Sequence, residues 1–397
     1  MFSIRRTFPI SSRGLALAIA ALLFASCGRN LDSEPDPGPS AGSTPYFVYV
    51  GTTTDDPTEG IHVLQFDPET GTLRTAGEVT PILNPSFLAL APDGGTLYAV
   101  SETEPGEVGA FRVDPVSGEL TELNRRSSGG AGPAYVGVSA DGRWVTVANY
   151  GGGSVALLPV EEDGSLADAT DVVQHTGSGP DAERQEGPHA HYARPGPDGR
   201  WVWVADLGTD EVIAYPLDAG SGKLQAERAV RTRAAPGAGP RHIALHPDGP
   251  WVYVMNELAG VVTVYRRQDD TGRLTELQTA SSLPAGFEGP NNSADIHVHP
   301  SGRWLYASNR GDFDSIAIFA IDPGSGRLTP VGHQREGIHW PRNFTIDPGG
   351  RWLLVANQRA DEVRVFAVDA ETGRLTPTDH RATVPSPTNV TLAPARG

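Results

Sequence analysis

The sequence repeats one short motif seven times, and this repetition limits the possible fold more than any other feature. The motif is Asp-x-x-(Thr/Ser)-Gly-x-Leu or a close variant, and consecutive copies begin about 47 to 56 residues apart. The copies are Asp67–Leu73, Asp114–Leu120, Glu162–Leu166, Asp218–Leu224, Asp269–Leu274, Asp322–Leu328 and Asp369–Leu375. A repeat of this length, built from short apolar alternations and glycine turns, indicates a radial or solenoid array of small β-sheets.

Each repeat contains four short segments typical of β-strands. The first segment begins near a proline, and in most copies an Asp-Gly turn separates it from the second. Copies of the first are Pro85–Pro92, Pro133–Ala140, Pro188–Pro195, Pro240–Pro247, Ser293–Pro300, Pro341–Pro348 and Pro387–Pro394. Copies of the second are Thr96–Val100, Trp144–Ala148, Trp201–Ala205, Trp251–Met255, Trp304–Ser308 and Trp352–Ala356. Both sets are rich in β-branched and aromatic residues, which favours strands.

The two ends of the repeat array complement each other. Tyr46–Val50 resembles a second strand without a first, and Pro387–Leu392 resembles a first strand without a second. Pairing these half-repeats would complete one sheet and remove the exposed edges of an open array. The sequence therefore predicts an all-β fold, a seven-bladed β-propeller of four-stranded antiparallel blades over residues 45–397. An open β-solenoid is the alternative, but it would carry capping repeats at its ends.

The N-terminal residues indicate export. Arg5 and Arg6 form a twin-arginine pattern, and the apolar run 15–24 is too short to span a bilayer as a helix. We interpret residues 1–26 as a signal peptide, Cys27 as a lipidation site after a lipobox-like run, and residues 27–44 as a disordered tether. The expected location is the periplasmic side of a bacterial membrane or the cell surface, with membrane contact only through the lipid.

Charge and composition exclude several classes of partner. The formal charge is −17, and removal of residues 1–26 takes away three arginines and no acid, which leaves −20. Such a charge argues against nucleic acid or an anionic membrane as the main partner. The sequence contains no glycine-rich phosphate loop, no nucleophile elbow and no cysteine cluster. We therefore expect no cofactor, and we expect a monomer.

The two faces of the predicted ring differ in sequence. The Asp-Gly turns and the repeated motif fall on one face, where all blades are alike, so these turns are interpreted as structural. The other face carries the start of each first strand and the end of each second strand, and it is irregular. Directly after the leading proline, the seven copies carry Ser86, Ala134, His189, Arg241, Ala294, Arg342 and Thr388. Large polar groups from neighbouring blades would thus converge on one mouth of the central channel, as in a ligand site.

The candidate residues of this mouth are charged, imidazole and amide groups. They are His189, His191, Arg241, His242, Asn256, Glu257, Asp295, His297, Arg310, Arg342, Asn343 and Gln358. In the repeat alignment His191 replaces an apolar residue and His297 replaces a small one. His189 and His191 share one face of a strand, but no third ligand is evident, so no metal site is expected. A buried guanidinium requires an anion, so Arg241 and Arg342 are each expected to pair with Glu257, Asp295 or a ligand.

Seven short motifs give the chain a resemblance to a known family. They are Gly187–His191, Gly239–His242, Asn256–Leu258, Ala294–His297, Ser308–Gly311, Asp314–Ile316 and Pro341–Phe344, in this order. Together they resemble the seven-bladed propeller lactonases, which include the propeller-type 6-phosphogluconolactonase and the carboxy-cis,cis-muconate lactonizing enzyme. The resemblance covers residues 46–393. It implies a metal-free site that opens or closes a lactone, with His189 or His191, Arg241, Glu257 and Arg310 as its catalytic residues.

The chemistry of these side chains fits lactone hydrolysis. Glu257 or one of the two histidines would act as the general base toward water. Arg241 would stabilise the oxyanion, and Arg342 or Arg310 would hold an anionic group of a sugar-like substrate. Sugar phosphates are expected in the cytoplasm, so an exported location argues against a phosphorylated substrate. The alternatives are a lactone-forming cycloisomerase and a non-catalytic envelope propeller that binds a glycan or a protein.

Overall fold

The computed structural model describes residues 44–77 and 79–396, and the expectations for residues 1–43 and Cys27 lie outside these ranges. The described residues form seven antiparallel sheets, and apart from three short 3-10 turns they contain no helix. Within the described part of the chain, no helix is long and apolar enough to cross a membrane. The predicted seven-bladed propeller is confirmed.

The first four blades follow one another along the chain. Blade 1 contains β1 (Tyr46–Thr52), β2 (His62–Phe66) and β3 (Leu73–Thr75), and blade 2 contains β4 (Leu88–Leu90), β5 (Thr96–Ser101), β6 (Glu107–Val113) and β7 (Leu120–Ser127). Blade 3 contains β8 (Pro133–Val138), β9 (Trp144–Asn149), β10 (Ser154–Pro159) and β11 (Asp171–Gln174). Blade 4 contains β12 (Ala190–Pro195), β13 (Trp201–Asp206), β14 (Glu211–Asp218), β15 (Lys223–Leu224) and β16 (Val230–Arg233). Blade 4 alone has five strands, since β15 and β16 both pair with β14.

The remaining blades have four strands each. Blade 5 contains β17 (Pro240–Leu245), β18 (Trp251–Asn256), β19 (Val261–Gln268) and β20 (Arg273–Ser281). Blade 6 contains β21 (Asn291–Val298), β22 (Trp304–Gly311), β23 (Ser315–Ile321) and β24 (Leu328–Gln334). Blade 7 contains β25 (Pro341–Ile346), β26 (Trp352–Asn357), β27 (Glu362–Val368) and β28 (Leu375–Thr383), and β29 (Pro387–Pro394) completes blade 1. The 3-10 turns are Pro57–Glu59, Ala226–Arg228 and Gln358–Ala360.

The ring closes through the two ends of the chain, as the complementary half-repeats predict. β29 pairs antiparallel with β1, and Tyr49 faces Thr391 in this ladder. On its other edge β1 pairs with β2, where Tyr49 faces Val63. The last strand is therefore the innermost strand of blade 1, and the strand order of that sheet is β29-β1-β2-β3.

The repeated motif joins each blade to the blade before it. In every copy the motif glycine has a φ between +64° and +88°, a region that glycine occupies without strain. The glycine lies against the first residue of the second strand of the preceding blade, or against its second residue in β1. The pairs are Gly71 with Trp352, Gly118 with Phe47, Gly164 with Thr96, Gly222 with Trp144, Gly272 with Trp201, Gly326 with Trp251 and Gly373 with Trp304. The motif is thus structural, and its first copy helps to close the ring.

The apolar core lies between neighbouring blades. In β18, all residues after Trp251 are buried, because both faces of this strand contact adjacent sheets. In β20, at the outer edge of the same blade, most residues are exposed or half-buried. This gradient explains why the second strands are continuous apolar runs while the outer strands alternate, since burial of apolar surface drives the packing. The innermost strands line the central channel, and their polar residues define the candidate site.

Candidate active site at the channel mouth

A β-bulge recurs near the start of the innermost strands and shapes the mouth of the channel. In six blades the ladder between the first and second strands skips a residue, or two in β21. The bulged residues are Ala134, His191, Arg241, Ala294 with Asp295, Arg342 and Thr388. A bulge changes the direction of a side chain and is common beside active sites. Here it groups His191, Arg241 and Arg342 at the predicted mouth.

The placement of His189 in the column of Arg241 is wrong. β12 begins at Ala190, two residues later than the sequence pattern predicts. Residues 181–189 form a loop, and its Gly-Pro pair imitates the pair that precedes Arg241. His191 is therefore the structural equivalent of Arg241, and the apolar column assigned to His191 is occupied by Ala193.

The carboxylate of Glu257 is surrounded by three guanidinium groups. Nε of Arg241 lies 2.9 Å from Oε2, an ion-pair contact whose angle does not make a hydrogen bond. Nη2 of Arg184 donates to Oε1 at 2.9 Å, and Nη2 of Arg310 lies 3.5 Å from the same oxygen. The side chains of Arg241, Glu257 and Arg310 are buried, whereas Arg184 keeps 34 % of its side chain exposed at the mouth. Three cations on one carboxylate leave the cluster with net positive charge.

The electrostatics of the cluster keep Glu257 ionised. Burial alone would raise the pKa of this carboxyl, but Arg310, Arg241 and Arg184 outweigh burial and lower the pKa to about 2. Burial lowers the pKa of Arg241 to about 10 and that of Arg310 to about 9, so both guanidinium groups stay charged at pH 7. The buried charges of Arg241 and Glu257 therefore lie beside each other, which offsets part of the cost of burying them.

Asp295 is a hydrogen-bond hub next to this cluster. Oδ1 lies 2.8 Å from Nδ1 of His242, and Oδ2 lies 2.9 Å from Nε2 of His297. Nδ2 of Asn343 donates to Oδ2 at 2.5 Å, and the backbone N–H groups of residues 296 and 344 also donate to this carboxylate. His242 connects this hydrogen-bond network to Arg241, since its Nε2 lies 3.3 Å from Nη1 of Arg241. Burial would raise the pKa of Asp295, but the two histidines and these hydrogen bonds lower it.

His191 has an unpartnered ring nitrogen at the mouth. Its side chain is buried, and its Nδ1 has no hydrogen-bond partner among the described residues. The ring lies edge-on to His242, with 5.2 Å between centroids. Burial, followed by the charges of Arg241 and Arg342, lowers the pKa of His191 well below its ordinary value. A neutral imidazole with a free nitrogen at neutral pH is suited to accept a proton.

His189 lies at the rim rather than in the cluster. Its ring stacks on Tyr150 with 4.5 Å between centroids, and its Nδ1 lies 2.9 Å from the carbonyl oxygen of Tyr150. Its Nε2 lies 3.2 Å from the carboxylate of Glu186. Tyr150 in turn accepts a hydrogen bond from Arg184 at 3.4 Å through its hydroxyl. Within the described part of the chain, Tyr150 links His189 to the cluster.

Two of the predicted mouth residues make their hydrogen bonds away from the cluster. Nδ2 of Asn256 donates to Thr263 and to backbone carbonyls of its own hairpin. Nε2 of Gln358 donates to Ser386 at 3.3 Å. Arg342, by contrast, is half-buried and close enough to lower the pKa values of Arg241 and His191, yet it has no ion-pair or hydrogen-bond partner within residues 44–77 and 79–396. Of these three residues, Arg342 alone presents a free charge to a ligand.

No metal centre is formed by the described residues. They contain no group of three or more His, Cys, Asp or Glu side chains arranged to hold a metal ion. The oxygens of Asp295 already accept five hydrogen bonds, and those of Glu257 face guanidinium groups. The arrangement is suited to polarising a carbonyl group and stabilising an oxyanion, because its donors are fixed by buried contacts before a ligand arrives.

Comparison with known proteins identifies the family of the chain. Residues 47–392 match the family model described as lactonase, 7-bladed beta-propeller. The chain belongs to this lactonase family. It is 38 % identical over 316 residues to a 6-phosphogluconolactonase of Bacillus subtilis, covering 79 % of this chain and 89 % of the relative. A 6-phosphogluconolactonase of Formosa agariphila is 35 % identical over 317 residues, covering 78 % and 89 %.

A solved structure extends the comparison to three dimensions. The periplasmic gluconolactonase of Pseudomonas aeruginosa superposes on this lactonase with a TM-score of 0.83 at 37 % identity. The match covers 89 % of this chain and all of the Pseudomonas chain. The family assigned from the seven motifs is therefore confirmed.

Sequence reasoning missed two arginines of this lactonase. Arg184 lies in a loop that has no counterpart in the other blades, so no repeat column draws attention to it. Arg194 lies on β12 and faces the central channel, where it is exposed. The repeat alignment missed Arg194 because it began β12 two residues too early. With the corrected start, Arg194 falls in the same column as His297. That column is otherwise small or Thr, so correct alignment would have made Arg194 stand out.

Proposed function

We propose that this lactonase hydrolyses a sugar-type lactone at the loop-face mouth of its channel. The observation that carries the proposal is the Glu257 carboxylate held among Arg184, Arg241 and Arg310 beside the neutral His191. This arrangement provides fixed positive charge for a developing oxyanion and an unprotonated base close to that charge. Both features accelerate acyl transfer to water without a metal.

Arg241 and Arg342 are the groups proposed to stabilise the transition state. Both occupy bulge positions at the mouth, and Arg342 has no partner of its own among the described residues. Attack of water on the lactone carbonyl places negative charge on the carbonyl oxygen, which a guanidinium group stabilises by a charge-assisted hydrogen bond. Glu257 positions Arg241 and Arg310 for this purpose. Its pKa of about 2 makes it a weak base, so it is a positioning residue.

His191 is the proposed general base. As the water oxygen bonds to the carbonyl carbon, the imidazole takes one proton from that water. The tetrahedral intermediate then collapses, the bond from carbon to the ring oxygen breaks, and the imidazolium returns the proton to that oxygen. The products are a free carboxylic acid and an alcohol on one open chain.

The proposed substrate is an unphosphorylated sugar lactone or a related small lactone. The twin-arginine pattern and the lipobox-like run ending at Cys27 support export and lipid attachment, away from cytoplasmic sugar phosphates. The similarity to a periplasmic gluconolactonase supports the same choice. We further propose that the protein acts as a monomer. Over the described residues, Val116 and Val172 are the exposed large apolar side chains, and they offer no extended patch for a protein partner.

The Glu257→Gln variant tests the proposed arrangement. Loss of the carboxylate charge frees Arg241 and Arg310 from their shared partner, so turnover of glucono-1,5-lactone should fall by about 10²-fold. Glu257→Asp should restore part of the turnover, since it keeps the charge. Circular dichroism and the melting temperature establish that each variant is folded. Full turnover by a folded Glu257→Gln protein would refute the assignment.

A further inference from the structure

The central channel contains a cavity on the face opposite the mouth. Its volume is about 590 Å³, which is within the range of small-molecule sites. Residues of the strand-connecting turns, such as Pro92, Ala140 and Pro247, form its opening. His242, Asp295 and His297 form part of its inner wall. The cavity therefore lies on the far side of the Asp295 hub from Arg241, which does not line it.

Arg194 gives this cavity an unneutralised positive charge. It projects from β12 into the channel and is exposed there, although β12 is the innermost strand of its blade. Over residues 44–77 and 79–396, no carboxylate forms an ion pair with Arg194. Its neighbours are the phenol groups of Tyr135 and Tyr192. The electrostatic effect of Tyr135 is the largest contribution to the pKa of Arg194, and it raises that pKa. A guanidinium that lines a cavity without an acid is suited to bind an anion.

The remaining charges of the cavity do not cancel Arg194. Asp295 is the single carboxylate among the lining residues, and it is buried. Its two oxygens accept from His242, His297 and Asn343 and from two backbone N–H groups. Because these donors saturate the carboxylate, a ligand in the cavity would meet the guanidinium of Arg194 and the partly exposed ring of His297.

The walls of the cavity are aromatic and aliphatic. The rings of Phe87 and Tyr135 lie 4.3 Å apart between centroids, and those of Tyr135 and Tyr192 lie 4.5 Å apart. Ile243 and Leu245 add apolar surface on the blade 5 side. A planar fork of N–H donors beside flat apolar walls matches a ligand that has a carboxylate at one end and an apolar body.

We propose that the channel cavity is a separate binding site for a small organic carboxylate, held by Arg194 with its body against Phe87, Tyr135 and Ile243. The site does not depend on the proposed lactone hydrolysis at the mouth. It opens on the face of the ring that carries the repeated turns, where no catalytic residue is assigned. A carboxylate bound there would contact His242, Asp295 and His297 from the side opposite the mouth.

Isothermal titration calorimetry of the full protein with sodium benzoate tests this site. We expect benzoate to bind the wild type, and we expect Arg194→Gln to weaken binding about ten- to a hundredfold, the usual contribution of a hydrogen bond to a charged group. Two matched variants serve as controls. Arg200→Gln removes an exposed arginine of the same blade, which pairs with Asp198 at 2.8 Å, and Arg342→Gln removes the free charge of the mouth. Both should bind benzoate within about twofold of the wild type.

The remaining outcomes would overturn the proposal. Equal benzoate affinity in the wild type and in a folded Arg194→Gln protein would exclude Arg194 as the ligand-binding group. Loss of binding in Arg342→Gln alone would place the carboxylate at the mouth. Absence of heat and of ligand-observed NMR contacts up to tens of millimolar benzoate would show that the cavity binds no small carboxylate.

Inorganic phosphate, titrated in parallel, should bind more weakly than benzoate, because it cannot use the aromatic walls.

Discussion

The Nε atom of Arg241 lies 2.9 Å from Oε2 of Glu257, and both side chains are buried at the mouth of the channel. The pair joins the bulge of β17 to the loop that follows β18 within one blade. Arg184 and Arg310 bring two further blades to the same carboxylate. A site assembled in this way is rigid before a substrate arrives, which is what stabilisation of an oxyanion requires.

Removal of the Arg241 charge should impair catalysis more than folding. In Arg241→Gln, Glu257 keeps Arg184 and Arg310 as partners, while the oxyanion loses the buried guanidinium proposed to stabilise it. We expect the kcat for glucono-1,5-lactone to fall about 10²- to 10³-fold. Arg200→Gln, an exposed arginine of blade 4, is the control and should keep wild-type turnover. Unchanged kcat in folded Arg241→Gln would remove this residue from the mechanism.

The two histidines of blade 4 should differ sharply in their contribution. His191 is buried beside Arg241, whereas His189 lies at the rim and stacks on Tyr150. His191→Gln should lower kcat about 10²- to 10⁴-fold, the usual contribution of a general base. His189→Gln should change kcat by less than about tenfold. The reverse order, measured with both variants folded, would show that His189 is the base.

The pH dependence of kcat/KM should reflect the lowered pKa of His191. The base must be neutral, and burial with the nearby arginines keeps it neutral well below pH 6.5. The activity should therefore stay level from about pH 7.5 down to about pH 6, where an ordinary histidine would already be mostly protonated. His242, with a pKa lowered to about 4, should not titrate in this range either. An acid limb centred near pH 6.5, after subtraction of spontaneous hydrolysis, would contradict this assignment.

Closure of the ring should depend on the contact between Gly71 and Trp352. A Cβ at residue 71 would lie 2.6 Å from the indole ring, so Gly71→Ala must displace it. Gly199→Ala is the matched control, since Gly199 also has a positive φ of 65° but has no neighbour within 4 Å of the new Cβ. Gly71→Ala should lose about 1–3 kcal/mol more of unfolding free energy than Gly199→Ala. Equal losses in urea unfolding would show that the contact does not support closure.

The fold could be predicted from the sequence because each blade repeats the same local pattern. The tryptophan that begins a second strand and the glycine of the next motif are parts of one contact, so their recurrence reports the packing of blades. The complementary ends predict closure in the same way. The proximity of Arg241 and Glu257 could also be predicted, because adjacent strand ends of one blade meet at one face.

The site was less predictable where loops interrupt the pattern. The loop before β12 ends in a Gly-Pro pair that imitates the start of a strand, so His189 was aligned with Arg241 and Arg194 was overlooked. Counting backwards from the Asp-Gly turn would have avoided the error, since His191 precedes Asp198 by the same seven positions that separate Arg241 from Asp248. Arg184 could not be found in this way, because its loop has no equivalent in other blades.

The most direct test is the rate of lactone opening by the wild-type protein, followed by base uptake in a pH-stat with spontaneous hydrolysis subtracted. The panel should contain glucono-1,5-lactone, its 6-phosphate and muconolactone. We predict that the unphosphorylated sugar lactone is opened faster than the other two, and that this rate disappears in His191→Gln. If the folded wild-type protein accelerates none of these reactions, or if His191→Gln retains the full rate, the proposed site is contradicted.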